Sequence, residues 1–332
     1  MYRRTFLAAI ASLPLAAVAT SARTARAQPV PAGTGGSPLK SVARDARGTT
    51  LTLGLEHAPF PAPGAWYRDD TVIVFVPAHY RALADEGVAA LVHFHGHNTT
   101  AERAMVAHEL REQLADSKQN AILVVPQLAV MAADSSCGNL EAAGGLVRML
   151  REAIAVAARE HATLGDTAFA ADAPVGTVCV SAHSGGYHAA ACSLKAGGVD
   201  VRETYLFDAL YADLETFRDW VVARKGEDLH RRHKLVSYFT EGGTTETLNG
   251  LLRTQLDHAG VVCAHEMQEG ALSRRDLSHA EAVFVRTGLW HSAVTWESNA
   301  LRDVLYASAL PRHLPTTWFA RTTGARPIER RR

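Results

Sequence analysis

In this chain of 332 residues, the stretch best equipped for chemistry is Ala182-His183-Ser184-Gly185-Gly186. The apolar, β-branched segment Thr177-Val178-Cys179-Val180 precedes it, and the small-residue run from Tyr187 to Leu194 follows. That order reads as strand, sharp turn, helix. A serine on such a turn stands proud of the sheet edge at a helix N-terminus, and small residues two before and two after it let strand and helix nearly touch. A serine hydroxyl is a poor nucleophile at neutral pH until a base removes its proton as it attacks. The chemistry to expect is therefore attack on a carbonyl, with a histidine oriented by a carboxylate behind the serine. Small-X-Ser-X-Gly recurs by chance in many chains, so its context decides.

The context is an alternation of apolar runs and helical periods. Strands are predicted over 49–56, 71–76, 90–95 and 121–125, then the strand entering Ser184, then runs ending at 207, 239 and 286. Helices are predicted over 101–118, 140–160, 213–225, 245–259 and 298–309, the second burying Leu146, Met149, Leu150, Ile154 and Val156. Continuous apolar strands alternating with helices predict a mostly parallel sheet covered on both faces.

Eight strands with a serine turn after the fifth resemble the α/β-hydrolase superfamily, from about residue 49 to residue 310. The resemblance implies a single α/β domain and hydrolysis of carboxylic esters, with amides a further option, through an acyl-enzyme. It implies the order serine, acid, histidine along the chain. His291 follows the last strand by Thr287-Gly288-Leu289-Trp290, where the family keeps its base, whereas His265 and His279 precede that strand. Two carboxylates fit the acid: Asp208 ends the sixth strand and Glu241 the seventh, the commoner family position. Asp208 is preferred, because a carboxylate closing an apolar strand requires a partner. Oxyanion donors are expected from the backbone N–H of Gly185 and, in a loop resembling the family's His-Gly-X turn, of His97 in His95-Gly96-His97-Asn98. Thr99 or Thr100 would cap the following helix. The loop 128–139, with Asp134, Ser135, Ser136 and Cys137, leaves the same edge and is a candidate pocket wall.

Two other readings compete. His93, His95 and His97 alternate, so a continuous strand would set them on one face, a spacing that could bind zinc. They resemble the His-X-His-X-Asp-His motif of metallo-β-lactamase-like hydrolases, but His97 stands where the aspartate should be and Asn98 where the last histidine should be. No matching downstream ligands follow, so His93 is read as a core residue, and neither cofactor nor metal is expected. The second rival is a binding protein on the same fold that has lost its chemistry. Among sixteen histidines, His108, His188 and several others are scattered singly and read as surface or satisfied structural residues.

The ends carry a different kind of signal. Arg3-Arg4, an apolar stretch to Val18 and Ala25-Arg26-Ala27 resemble a twin-arginine export signal spanning residues 1–27. The apolar stretch is too short for a comfortable membrane anchor. Periplasmic or secreted placement follows as the expectation, with the export machinery as a partner and a small-molecule or polymeric ester as substrate. Residues 28–48 read as a flexible leader, 49–320 as the catalytic domain and 321–332 as a basic tail. Basic and acidic residues balance at 34 each, and removing the signal takes four arginines and no acid, which gives no support for nucleic-acid binding. Of four cysteines, Cys179 and Cys192 are expected as buried thiols, and Cys137 and Cys263 as possible disulfide partners in an oxidising compartment.

Overall fold

The computed structural model describes residues 28–29, 38–83, 86–165, 168–266 and 272–312. The expected signal 1–27 and tail 321–332 lie outside the described residues. Among the described residues, eleven strands form one sheet: β1 (Gln28–Pro29), β2 (Leu39–Asp45), β3 (Gly48–Gly54), β4 (Thr71–Pro77), β5 (Val88–Phe94), β6 (Ile122–Pro126), β7 (Val175–His183), β8 (Val201–Phe207), β9 (Lys234–Thr240), β10 (Cys263–Glu266) and β11 (Ala282–Thr287). Their spatial order is β1-β2-β3-β4-β6-β5-β7-β8-β9-β11-β10. The first four are antiparallel to their neighbours, and β6 through β10 are parallel.

The helices are α1 (Ala101–Ala107), α2 (Leu110–Ser117), α3 (Gly145–Thr163), α4 (Tyr187–Ala196), α5 (Leu214–Ala223), α6 (Thr244–His258), α7 (Arg274–His279) and α8 (Ala300–Tyr306). They cover both faces because successive strand residues point to opposite sides. Along β4, Val72, Val74 and Val76 enter one core with α3, α4, α5 and α6. Ile73 and Phe75 enter the other, with α1, α2, α7 and α8. On α3, Leu146, Met149, Leu150, Ala153, Ile154 and Ala157 are buried at helical spacing. Fully burying a leucine or methionine side chain contributes roughly 1.5–3 kcal/mol, so this stripe fixes α3 against the sheet.

The strand order explains where a site can form. From β5 the chain crosses through α1 and α2 on one face, returns to β6, and crosses through α3 on the other face to β7. Neighbouring β5 and β7 thus send their following segments to opposite faces, which opens a crevice at their carboxyl ends.

Several expectations are corrected. The stretch read as a flexible leader contains β2, paired with β3 from Leu39 to Asp45 with one register shift between Leu39 and Ser41, so the sheet begins before residue 49. Leu39 and Val42 stand three residues apart among Lys40, Ser41 and Arg44, which gives no period-2 pattern to announce a strand, and its pairing with β3 supplies the order. The eight expected strands are all present, and β1, β2 and the short polar β10 are additional. The helix expected over 101–118 is broken at Glu109, whose φ is 49°. That over 140–160 starts only after Gly144, at φ 71°. Thr100 caps α1, accepting from the backbone N–H of Arg103 at 3.2 Å. Between β8 and β9 the only helix is α5, so no helical cap is inserted there. No helix among the described residues is long and apolar enough to cross a membrane.

Candidate active site

Ser184 sits between β7 and α4 with φ at 52°, in the left-handed region that non-glycine residues rarely occupy. Two glycines allow that turn to close. A Cβ on Gly186 would lie 2.3 Å from the carbonyl oxygen of Phe94, and one on Gly96 would lie 2.7 Å from Cβ of Ser184. Strand β7, the elbow and the loop after β5 therefore touch through backbone. The ring of His97 lies over Gly185, where a Cβ would approach it to 2.6 Å. His97 Nε2 is also 3.3 Å from Ser135 Oγ, which brings the loop 128–139 into the same neighbourhood.

Asp208 follows β8 and is 2% exposed. Its carboxylate accepts from the Thr240 backbone N–H at 3.1 Å, from the Thr240 hydroxyl at 3.0 Å and from the Thr245 hydroxyl. His291 Nδ1 donates to Asp208 Oδ2 at 2.6 Å. Burial pushes this carboxyl up, but the bonds from His291, Thr245 and Thr240 outweigh it and hold the pKa at about 2. Glu241 is turned elsewhere: it is exposed and paired with Arg286. His183 Nε2 donates to the backbone carbonyl of His291 at 2.9 Å, so the residue before Ser184 holds the loop that carries His291. The two imidazole rings lie 4.7 Å apart, centroid to centroid.

Among the described residues, the ring nitrogens of the alternating histidines do not converge on one point. Strand β5 ends at Phe94, so His95 and His97 lie beyond it and the premise of one continuous face fails. His95 Nδ1 donates to the carbonyl of Gly96 at 2.8 Å, and its Nε2 accepts from Leu128 N–H at 2.9 Å and from Gln127 Nε2 at 3.1 Å. His93 is committed to Ser181 Oγ at 2.8 Å and to His108 Nδ1 at 3.4 Å. His108 in turn packs edge-on against His183. Burial first, then neighbouring histidines, pushes these groups down: His95 and His183 to about 4, His108 to about 3, and His93 well below its usual value. His93, His108 and His183 form a buried network of neutral imidazoles that runs on to the His291 loop, with His95 bonded separately to Leu128 and Gln127. Sequence reasoning placed His93 in the core but gave His108 and His183 no part in such a network, since residues so far apart in sequence carry no common pattern.

The cysteine expectation also changes. All four are free thiols, and Cys137 lies not beside Cys263 but beside Cys192 and His188.

No protein-family model matches this chain, and no curated protein matches its sequence. Solved structures do match. A ferulic acid esterase is 13% identical over 78% of this chain and 97% of its own, with a TM-score of 0.46. The S-formylglutathione hydrolase from Agrobacterium tumefaciens is 13% identical over 86% of this chain and 99% of its own, at 0.45. Carboxyl esterase 2 from the mycorrhizal fungus Tuber melanosporum is 12% identical over 79% and 82%, at 0.40. The strand order itself decides the fold: antiparallel lead-in strands, then β6-β5-β7-β8-β9-β11 in parallel with a serine elbow after β7. This is an α/β-hydrolase fold. Its carboxyl edge carries Ser184, Asp208 and the loops bearing His97 and His291.

Proposed function

We propose that this protein is an exported serine hydrolase that cleaves carboxylic esters through an acyl-enzyme. One observation carries the reading: His291 Nδ1 is 2.6 Å from the buried Asp208 carboxylate, while the backbone of His291 is bonded to the residue preceding Ser184. In this mechanism Ser184 Oγ attacks the carbonyl carbon as His291 Nε2 takes its proton. Asp208 holds the imidazole in the required tautomer and stabilises the imidazolium. The oxygen that becomes negative accepts from the backbone N–H groups of Gly185 and His97. His291 then protonates the departing alcohol, and water repeats the sequence on the acyl-serine.

An ester is favoured over an amide because an alkoxide is the easier leaving group. A groove of about 440 Å³ lined by Phe60, Trp66, Tyr67, Ala129 and Met131, with Asp134 and Ser136, borders the loop that touches His97. Its aromatic walls suit an apolar or aromatic ester substituent. Export rests on the twin arginines and the Ala25-Arg26-Ala27 cleavage site, and N-terminal sequencing of the exported protein is expected to begin at Gln28.

The deciding experiment is labelling with a fluorophosphonate, read together with hydrolysis of chromogenic aryl esters. Wild type should label and turn over. Ser184→Ala should lose the label and fall in kcat by on the order of a million-fold. A folded wild type that neither labels nor hydrolyses any ester would leave a binding protein on this fold.

A further inference from the structure

The segment after β6 and the helix that follows Ser184 meet at a second cluster, separate from the serine. The sulfurs of Cys137 and Cys192 and a ring nitrogen of His188 all lie within 4.8 Å of one another. His188 and Cys192 stand one turn apart on α4, so they share a face. Cys137 is fully buried beneath them and is fixed by its backbone N–H, which donates to Glu141 Oε1 at 2.8 Å.

Three details point to one kind of ligand. His188 Nδ1 is bound to Asp213 Oδ2 at 2.7 Å, which leaves Nε2 facing the sulfurs. A carboxylate on the far nitrogen is the usual brace of a metal-binding histidine. His188 Nε2 lies 3.5 Å from Cys192 Sγ. Around a tetrahedral zinc, bonds of about 2.3 Å to sulfur and about 2.0–2.1 Å to nitrogen put those two atoms roughly 3.5 Å apart. Entry is open, because His188 and Asp213 keep about a third of their side chains in solvent. A disulfide would engage the two sulfurs but leave the braced histidine without a role.

We infer that Cys137, Cys192 and His188 form a zinc site, with Asp213 orienting His188 and solvent completing the coordination. The metal joins the segment after β6 to the elbow helix and so braces two of the loops that frame the crevice. Binding releases the thiol protons, and no electron transfer is involved.

The test uses the full mature protein, stripped with a chelator under reductant and titrated with Co²⁺ and then Zn²⁺. One equivalent of Co²⁺ should produce thiolate-to-cobalt charge-transfer absorption, and Zn²⁺ should displace it and raise the melting temperature. Cys192→Ser and His188→Gln should each weaken binding more than 100-fold, beyond the roughly 10–100-fold of a lost bracing residue. Cys263→Ser should bind as wild type does. The inference is overturned if folded protein shows no such band, if the band survives both ligand variants, or if protein purified without reductant contains a Cys137–Cys192 disulfide that resists metal loading after reduction. Fluorophosphonate labelling of Ser184 is read separately, so either reading can fail alone.

Discussion

Two aspartate–histidine pairs leave the same strand end. Asp208 meets His291 at 2.6 Å, and Asp213, five residues on, meets His188 at 2.7 Å. Both aspartates adopt the left-handed backbone conformation, at φ 46° and 57°. The pairs differ in what surrounds them. The Asp208 carboxylate is 3% exposed and takes further bonds from Thr240 and Thr245, whereas that of Asp213 is 28% exposed. His291 is held beside a serine elbow, and His188 faces two sulfurs. A carboxylate-braced imidazole is thus not a role in itself. Under the two roles proposed above, the neighbouring group, a serine elbow or a pair of sulfurs, would decide between moving a proton and holding a cation.

The largest expected effect separates the two pairs. Asp208→Asn should lower kcat for ester hydrolysis by about 10⁴-fold, because the imidazole loses its tautomer and its counter-charge. Glu241→Gln, which alters only an exposed pair with Arg286, should change kcat by less than about twofold, as exposed ion pairs contribute about 0–1 kcal/mol. The reverse ranking in steady-state kinetics would move the role to Glu241. At the second pair, Asp213→Asn should weaken zinc or cobalt binding by roughly 10–100-fold, read by the same metal titration.

Acid should act on the first pair's surroundings in two stages. In the unfolded chain histidines protonate near pH 6.5, but in the fold His95 and His183 do so only at about 4 and His108 at about 3. Unfolded chains therefore hold more protons across that interval. The stability these groups contribute is fully present above pH 6.5 and is lost as pH falls toward 4 and then 3, at up to about 1.4 kcal/mol per unit for each. Asp208 has a folded pKa of about 2 against 3.8, so its share is present above pH 3.8 and disappears as pH falls through 2. Melting temperatures measured from pH 8 to pH 4 should decline steadily below 6.5. A flat profile between 6.5 and 4.5 would remove the neutral-imidazole network from the account.

A milder loss than at Asp208 is expected at His97. Losing an oxyanion donor costs about 10²–10³-fold in kcat, but His97→Ala keeps the backbone N–H and removes only the ring over Gly185. Its kcat should fall by less than about tenfold. A larger loss with the fold intact would give the imidazole a direct part in the reaction.

Much of this was legible in one dimension. Strand runs such as Thr71–Val76 and the helical stripe of α3 announce themselves because burial on two faces, or on one, imposes a local period. The serine elbow announces itself because only small residues permit strand and helix to touch, as the approach of Gly186 to Phe94 shows. Edge strands were harder: β2 is partly polar and β10 is four residues long, so pairing rather than pattern orders them. The choice between Asp208 and Glu241 lay open in the sequence, since both end strands at the same edge. Tertiary structure turned one toward His291 and gave the other to Arg286. Cys137 and Cys192 lie far apart in the chain with nothing in their spacing to join them, and they meet because the segment after β6 packs on α4. Local chemistry was written residue by residue, whereas the partners of each histidine depended on which strand ends the sheet brought side by side.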